Sequence, residues 1–213
     1  SAADAFLRPA LSRGKVALHT GARVERILFE GRRAVGVNYR QASVSHTVRA
    51  RAAVVVCAGA IQSPQLLQLS GVGPGALLQQ HGIPPVLVQE QMGANLQDHL
   101  AMSYYFKATE PTLNNVLGSW WGKIRVGLQY VGTLGGPLSI SVNQCGGFVR
   151  SHATAPQADL QLYCNPITYT LAASKTGTQI VPDRFAGFIL CFQPCRPLSR
   201  GRVDIAGPDI STA

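Results

Sequence analysis

The first fifty residues alternate between apolar and polar positions in several short runs. The alternation predicts strands at residues 15–20, 23–30, 34–40 and 46–50, with turns at 31–33 and 41–45. Period-two patterning of this kind is typical of strands that bury one face. We therefore predict a small antiparallel meander, preceded by a short helix at residues 2–11 that Pro9 interrupts.

The run AAVVVCAG, residues 52–59, differs because almost every position is apolar. Such a run predicts a strand of a parallel sheet that is covered on both faces. A helix should follow, with Ser63 as its N-cap, Pro64 at its first position and Gly71 at its end. A second short helix is predicted at residues 74–82. The intervening small residues 58–60 allow either close packing of strand on helix or the approach of a ligand, and both interpretations remain open here.

The second half of the chain has longer strand patterns separated by turns rich in proline and glycine. Strands are predicted at residues 100–108, 158–164, 185–192 and 201–206. Residues 119–131 have a helical pattern that places five apolar side chains near one face: Trp120, Trp121, Ile124, Leu128 and Val131. We place a boundary near Leu100. The fold class is therefore α/β (α+β), an α/β part followed by an antiparallel sheet.

The positive charge of the chain has three interpretations. The formal net charge is +9, and ten of the 19 lysines and arginines fall within the first 51 residues. A nucleic-acid surface is one interpretation, but no aromatic-basic recognition motif accompanies the charge. A solvated sheet face explains the same pattern, and we predict no nucleic-acid partner. An acidic remainder of a longer chain, balancing this charge, is a third interpretation. The sequence shows neither a membrane-spanning segment nor a signal peptide, and its start reads like the middle of a longer protein.

The number and spacing of the five cysteines indicate the redox state of the thiols. Their number is odd and none forms a Cys-x-x-Cys pair. This pattern predicts reduced, mostly buried thiols, no metal site and a cytoplasmic location.

The segment GAIQSPQLLQLSGVG, residues 59–73, is the most specific motif in the chain. It resembles the second signature of the glucose-methanol-choline (GMC) oxidoreductases: a small-residue pair, Ser-Pro, two aliphatic residues, then Ser-Gly-aliphatic-Gly. Three further blocks are similar to landmarks of the family: residues 18–39, the block GANLQDHL at 93–100, and the segments GGFVRS and RPLSRGRV. The resemblance covers nearly the whole chain and is greatest to choline-dehydrogenase-like alcohol dehydrogenases.

The resemblance implies an FAD-dependent enzyme that oxidises an alcohol by hydride transfer to the flavin. It implies part of a doubly wound FAD-binding domain at residues 1–99 and an incomplete substrate-binding domain at 100–213. Members of the family are much longer than this chain. Their Gly-x-Gly-x-x-Gly fingerprint and their catalytic histidine have no counterpart here. We therefore expect a central fragment with no catalytic residue of its own, inactive in isolation.

Cofactor contacts are implied by matching positions of the family motifs. Val24 takes the place of a residue whose backbone pairs with the adenine, and Ala58 and Gly59 lie against the adenosine part of FAD. Ser63 is mainly a helix cap with a secondary flavin contact. Asn95 belongs to a block that covers the flavin. Asp98 and His99 follow in that block, but adjacent strand residues point to opposite faces, so they are not expected to pair as acid and base.

Substrate contacts are implied at Ala101, Asn143 and Tyr163. Choline-oxidising members resemble this chain through LQDHL and then carry a glutamate where Ala101 stands. Because alanine offers a quaternary ammonium neither charge nor a π face, we expect a neutral alcohol in place of choline. Further candidates for the pocket wall are Tyr104, Tyr105, Trp120 and Trp121. For each wall candidate, including Asn143 and Tyr163, a place in the core of the second domain is an equally open interpretation. The resemblance implies oxygen or a quinone-like partner as the electron acceptor. The alternative is a non-catalytic basic binding module that retains the family architecture.

Overall fold

The structure of this chain is a computed structural model that describes residues 1–141, 143–174 and 177–211. After one turn of π-helix at Ala3–Leu7, the α-helices are α1 (Arg8–Ser12), α2 (Gly59–Leu69), α3 (Gly75–Gln80), α4 (Leu113–Leu117) and α5 (Trp120–Thr133). The strands are β1 (Ala22–Glu30), β2 (Arg33–Gln41), β3 (Val44–Arg49), β4 (Val72–Gly73), β5 (Leu87–Val88), β6 (Ala94–Leu96), β7 (Met102–Lys107), β8 (Cys145–Val149), β9 (Leu160–Asn165), β10 (Tyr169–Ser174), β11 (Gly177–Pro182), β12 (Gly187–Pro194) and β13 (Gly201–Arg202).

The chain forms two compact units. Unit 1 contains Ser1–Gln97 together with the segment that begins at Arg200, and unit 2 contains Asp98–Ser199. The predicted change of character near Leu100 falls close to the first break. The final segment, however, packs with unit 1, because β13 pairs with β6 and Ile205 joins the core of that unit. The two functional domains at 1–99 and 100–213 stay a prediction, since compactness alone does not assign a function to either part.

The meander of unit 1 forms as an antiparallel sheet in the order β1-β2-β3. Register shifts follow Val24 and Leu28, which marks irregular pairing in β1. The strand predicted at residues 15–20 is wrong: this segment is irregular, and Val16 and Leu18 are exposed. Alternation is present there, but no described strand pairs with it, and a strand needs a hydrogen-bonding neighbour.

The apolar run after the meander is also not a strand in the described structure. Residues 53–57 are irregular, and Val55 is exposed. A strand covered on both faces needs partner strands and packing layers, and none of the described residues supplies them here. Parallel pairing in the described part of the chain is confined to β4 with β5. The mixed fold class itself, helices with antiparallel sheets, is confirmed.

The core of unit 1 is a small cluster around α2 and α3. Its buried members are Leu69, Leu78, Ile83 and Ile205. Gln68 is fully buried beside them, and its side-chain amide bonds the backbone of the final segment. Its Nε2 donates to the Val203 carbonyl at 2.9 Å, and its Oε1 accepts from the Ile205 N–H at 3.0 Å. These bonds satisfy the buried backbone groups that attach the final segment to α2.

Unit 2 is organised on a four-stranded antiparallel sheet in the order β7-β12-β9-β8, with a separate β10-β11 hairpin. Asn114 of α4 is buried, and its amide donates to the carbonyls of Thr168 and Asp183 at 2.8 and 3.0 Å. The predicted helix at 119–131 is confirmed as α5, with the Ser119 hydroxyl capping the Gly122 N–H at 2.9 Å. Four of the five residues of its predicted apolar stripe are exposed and Ile124 is half-buried, whereas Val126, outside the stripe, is the buried residue of α5.

Candidate functional site

Unit 1 contains an open cavity of about 570 Å³ beside the first turn of α2. This volume lies within the range of small-molecule sites, about 300–1,000 Å³. The cavity is lined by residues of β1 and β2, the irregular segment 54–58, α2 and Ile210. Val24 and Ala58, which are far apart in sequence, both line it. Two of the predicted cofactor contacts are therefore brought together around one cavity.

The start of α2 determines what this cavity can bind. The helix begins at Gly59, its N-cap residue is Ala58, and no side chain of the described residues caps its first N–H groups. Helix N-termini of this kind favour electron-rich or anionic groups. Gly59 has φ of +86°, and a Cβ there would meet no atom within 4 Å. Arg23 also lines the cavity and adds positive charge. The arrangement fits a nucleotide with a phosphate group.

The predicted N-cap role of Ser63 is wrong. Ser63 lies inside α2, and its hydroxyl accepts a hydrogen bond from the Ala58 N–H at 3.1 Å. Pro64 follows as an interior residue of the helix instead of its first position. Ser-Pro is common at helix starts, which is why the sequence predicted the N-cap at Ser63. In the structure the helix begins four residues earlier, at Gly59, which has a positive φ. Ser63 thus fixes the backbone of Ala58, a residue that lines the cavity.

Asn95 occupies a different place from Val24 and Ala58. It lies in β6 with φ of +62° and lines a separate cavity of about 300 Å³. Ala60 and Pro64 of α2 border the same cavity. The predicted cofactor residues are therefore distributed on both sides of the first half of α2.

In unit 2, one face of the four-stranded sheet is apolar from edge to edge, and we call it the apolar sheet face. The register places one residue set on this side: Met102, Tyr104, Phe106, Phe188, Leu190, Phe192, Leu160, Leu162, Cys164, Cys145, Gly147 and Val149. Tyr104 stacks on Phe192 and Phe106 on Phe188, with ring centroids 5.6 and 5.1 Å apart. A cavity of about 470 Å³ lies on this face.

The predicted substrate residues are only partly associated with this cavity. Tyr163 borders it, although the register places its side chain on the opposite side of the sheet. Tyr163 also borders a second, more polar cavity of about 560 Å³. Asn143 lines that second cavity only, and Ala101 is exposed and lines neither. Burial, followed by the charge of Cys191 and a hydrogen bond with it, raises the pKa of the Tyr163 phenol. Tyr163 is therefore neutral at physiological pH and acts as a hydrogen-bonding group.

The other proposed wall residues separate in the same way. Tyr104 lines the cavity on the apolar sheet face, whereas Tyr105 belongs to the opposite side of the sheet. Trp120 and Trp121 are exposed on α5. Sequence reasoning missed most of the cavity wall, including Cys145, Leu162, Leu190 and Phe192. The signal was present as alternating apolar residues in three strands, but the sequence does not show that these strands are neighbours.

Two groups of described residues combine histidine with aspartate, Asp98 with His99 and Ser151 with His152 and Asp159. The Asp98 carboxylate accepts a hydrogen bond from the His99 backbone N–H at 2.8 Å, so the two residues interact through the backbone of His99 and not through its ring. Ser151 bonds both His152 Nδ1, at 2.8 Å, and the Asp159 carboxylate, at 2.6 Å. Serine therefore stands between histidine and aspartate, which is the wrong order for a base that activates a nucleophile. Hydrogen bonds from Ser151 lower the pKa of Asp159.

The chain was also predicted to lack a metal site and a membrane span and to hold mostly buried thiols. No group of three or more metal-ligating side chains occurs in residues 1–141, 143–174 and 177–211. Among the helices of those ranges, none has the length and apolar character required to cross a bilayer. The expectation of mostly buried thiols is wrong: Cys57 and Cys145 are exposed, and only Cys191 is buried.

Several basic residues of the first half are engaged in surface ion pairs. Arg8 pairs with Asp4, Arg40 with Glu25, and Arg49 with Glu30. This distribution agrees with a solvated sheet face better than with a continuous basic patch.

The chain is similar to known proteins along nearly its whole length. The family model described as GMC oxidoreductase matches residues 1–101. An oxygen-dependent choline dehydrogenase of Burkholderia cenocepacia (strain HI2424) is 37% identical over 209 residues, which is 98% of this chain and 36% of the relative. The chain thus spans about 36% of the length of the curated relatives it matches.

Solved structures agree with the sequence relatives. The crystal structure of pyridoxine 4-oxidase from Mesorbium loti superposes with a TM-score of 0.74 at 27% identity, covering 100% of this chain and 37% of that one. Formate oxidase superposes with a TM-score of 0.75 at 21% identity, covering 88% of this chain and 37% of that one, which shows a shared fold. The match to the GMC oxidoreductase family supports FAD as the cofactor. The chain belongs to the GMC oxidoreductase family.

Proposed function

We propose that this chain is a central part of an FAD-dependent oxidoreductase that acts on the CH–OH group of an alcohol. The observation that carries the proposal is the cavity of unit 1, in which Val24 and Ala58 lie together beside the uncapped start of α2. Family membership supports the reaction class. The chain spans 36% of the length of its relatives, and its described residues include no histidine and carboxylate arranged to activate a nucleophile, so we propose that it is inactive alone.

The residues that would hold FAD fit its adenosine end. β1 is the edge strand of its sheet, so the backbone beside Val24 is accessible for pairing with a base. Ala58 and Gly59 are small enough for close approach, and the N–H groups of α2 with Arg23 favour a phosphate. Asn95, on the other side of α2, is proposed as a further contact. When bound, FAD supplies the acceptor for the hydride, and the protein supplies position and electrostatics.

A neutral alcohol is the proposed substrate class. The apolar sheet face has no charged side chain in its register set, and Ala101 cannot offer a carboxylate to a quaternary ammonium. The side chains proposed to contact the alcohol are Ala101, Asn143 and Tyr163, with Tyr163 able to hydrogen-bond a hydroxyl. The aromatic rings of this face could still attract a cation, so choline must be included in the test. Oxygen or a quinone-like compound is proposed as electron acceptor.

Filling the cavity of unit 1 tests the cofactor assignment. We expect Ala58→Phe to weaken FAD binding by at least about tenfold, since a phenyl ring would occupy the space proposed for the adenosine. The measurement is a titration of the chain with FAD, followed by flavin fluorescence. Ala52→Phe is the matched control, because Ala52 is exposed and does not line this cavity. Equal affinities for both variants and the wild type would overturn the assignment.

Catalysis is tested on the full-length protein that carries this segment. We expect it to reduce a redox dye with a neutral primary alcohol and to use choline less efficiently. A flavin-free, correctly folded full-length protein would contradict the proposed function. Faster turnover of choline than of neutral alcohols would contradict the substrate class alone.

A further inference from the structure

Three of the five cysteines lie in adjacent strands of the unit 2 sheet. Cys145 belongs to β8, Cys164 to β9 and Cys191 to β12. The register places Cys145 directly opposite Cys164 in the β8-β9 ladder. Residues directly opposite each other in an antiparallel pair project to the same side of the sheet. Cys145 and Cys164 therefore share the apolar sheet face, whereas Cys191 is opposite Tyr163 on the other side.

The spacing of this ladder suits a covalent bond between the two sulfurs. Directly opposed residues have Cα atoms about 4.5–5.5 Å apart, depending on the hydrogen-bonding of the pair. Disulfides occur with Cα atoms about 4.4–6.8 Å apart. Both kinds of pair fall within that window. A bond between Cys145 and Cys164 thus requires a small closing movement of the side chains and no change of register.

The surroundings of Cys164 disfavour its thiolate. Burial, followed by the charge of Cys145 and a hydrogen bond with it, raises the pKa of the Cys164 thiol. Cys145 is exposed, so a reagent in solution can reach it, while Cys164 is half-buried behind it. Cys191 is buried and its Sγ lies 3.2 Å from the Ser103 hydroxyl, which leaves it outside this pair.

We propose that Cys145 and Cys164 form a reversible cross-strand disulfide by exchange with a low-molecular-weight disulfide such as oxidised glutathione. The Cys145 thiolate attacks one sulfur of glutathione disulfide, the glutathione S–S bond breaks, and one glutathione thiolate leaves and takes up a proton. Cys164 then loses its proton, attacks Cys145 Sγ and releases the second glutathione. Two protein thiols are oxidised and one glutathione disulfide is reduced to two thiols.

Closing of the disulfide should depend on pH. The attacking species in thiol–disulfide exchange is the thiolate. Because burial disfavours the Cys164 thiolate, closing of the disulfide should continue to accelerate as the pH rises above the ordinary thiol range. At lower pH the Cys145–glutathione mixed disulfide should accumulate. The proposal concerns the thiols alone and is independent of the function proposed above.

The experiment is oxidation of the purified chain in a glutathione redox buffer, followed by alkylation of free thiols and peptide mass spectrometry. We expect the five thiols of the reduced chain to fall by two, with a Cys145–Cys164 peptide as the dominant cross-link. Dithiothreitol should restore all of them. In C145S the internal cross-link should be absent, and in C164S a glutathionyl adduct should remain on Cys145. C57S removes an exposed thiol outside the sheet and should behave as the wild type.

Oxidation in concentrated urea separates a pairing imposed by the fold from random pairing. We expect the Cys145–Cys164 cross-link to lose its dominance there, because the ladder no longer holds the two strands in register. A wild-type chain in which Cys145 carries only glutathione at equilibrium would overturn the proposal. An equal yield of this cross-link with and without urea would overturn it as well. Far-UV circular dichroism of each serine variant establishes that the comparison is made between folded proteins.

Discussion

Replacing Leu78 with alanine is expected to lower the free energy of unfolding of unit 1 by about 2–5 kcal/mol. Leu78 lies in α3 with 0% of its surface exposed and belongs to the cluster with Leu69, Ile83 and Ile205. The cost combines the lost transfer of the leucine side chain from water with the cavity left behind. Urea denaturation followed by circular dichroism measures it.

Leu18→Ala is the matched control in the same unit. Leu18 is 52% exposed and lies in the irregular segment before β1. Surface substitutions of this type change stability by no more than about 0.5 kcal/mol. A Leu78 variant as stable as the Leu18 variant would show that the α2–α3 cluster is not the core of unit 1. An equal, large loss in both variants would show that residues 15–20 are packed in solution.

The Leu78 cluster also connects stability to the candidate cofactor cavity. α2 contributes Leu69 to the cluster and its first turn to the cavity. The final segment closes the cluster through Ile205 and reaches the cavity through Ile210. Arg26 of β1 donates to the Leu69 carbonyl at 2.6 Å, and the Ile27 N–H donates to the Ser70 hydroxyl at 2.9 Å. Loss of the core would therefore displace α2 relative to β1, and the two lining residues Val24 and Ala58 with it.

The sequence was informative where structure depends on local chemistry. The β1-β2-β3 meander was predictable because each strand pairs with its neighbour in the chain through a short turn. The ends of α2 and α3 were predictable because Gly71 and Gly82 take positive φ, which favours glycine. α5 was predictable from its period and its Ser119 cap.

The sequence was misleading where structure depends on partners distant in the chain. Residues 53–57 have the composition of a buried strand, but composition does not supply the neighbouring strands. The final segment was assigned to the second region because it follows it in sequence. Its actual attachment rests on Gln68, whose amide bonds Val203 and Ile205, and no short-range pattern indicates such a contact.

The candidate site divides in the same way. Ala58 and Gly59 were identifiable from a local motif, and the structure places them at the start of α2. The wall of the unit 2 cavity depends on the order β7-β12-β9-β8, which brings together strands separated by long stretches of chain. For the same reason the opposition of Cys145 and Cys164 was not visible in the sequence. Their spacing of nearly twenty residues carries no disulfide signal until the β8-β9 register is known.

Gly71→Ala is expected to destabilise unit 1 by about 2–5 kcal/mol, the sum of two effects. Gly71 has φ of +87°, and a side chain in this left-handed region costs about 1–2 kcal/mol. A Cβ at this position would also lie 2.6 Å from the Pro84 carbonyl oxygen and 3.0 Å from Val86 Cγ2. The carbonyl of Gly71 accepts the N–H groups of Val86 and Leu87, so the chain cannot move away without losing these bonds. Relieving this clash adds about 1–3 kcal/mol.

Gly82→Ala separates the two effects. Gly82 ends α3 as Gly71 ends α2, has φ of +65°, and has no atom within 4 Å of the position of a Cβ. The Gly82 variant carries the conformational cost without the clash. We therefore expect its free energy of unfolding to fall by about 1–2 kcal/mol, measured by the same urea denaturation. The difference between the two variants measures how closely the 84–86 segment packs on the end of α2. Equal losses of unfolding free energy in the two variants would mean that the 84–86 segment moves to accommodate a methyl group. Close packing of that segment would then not be the reason for glycine at position 71.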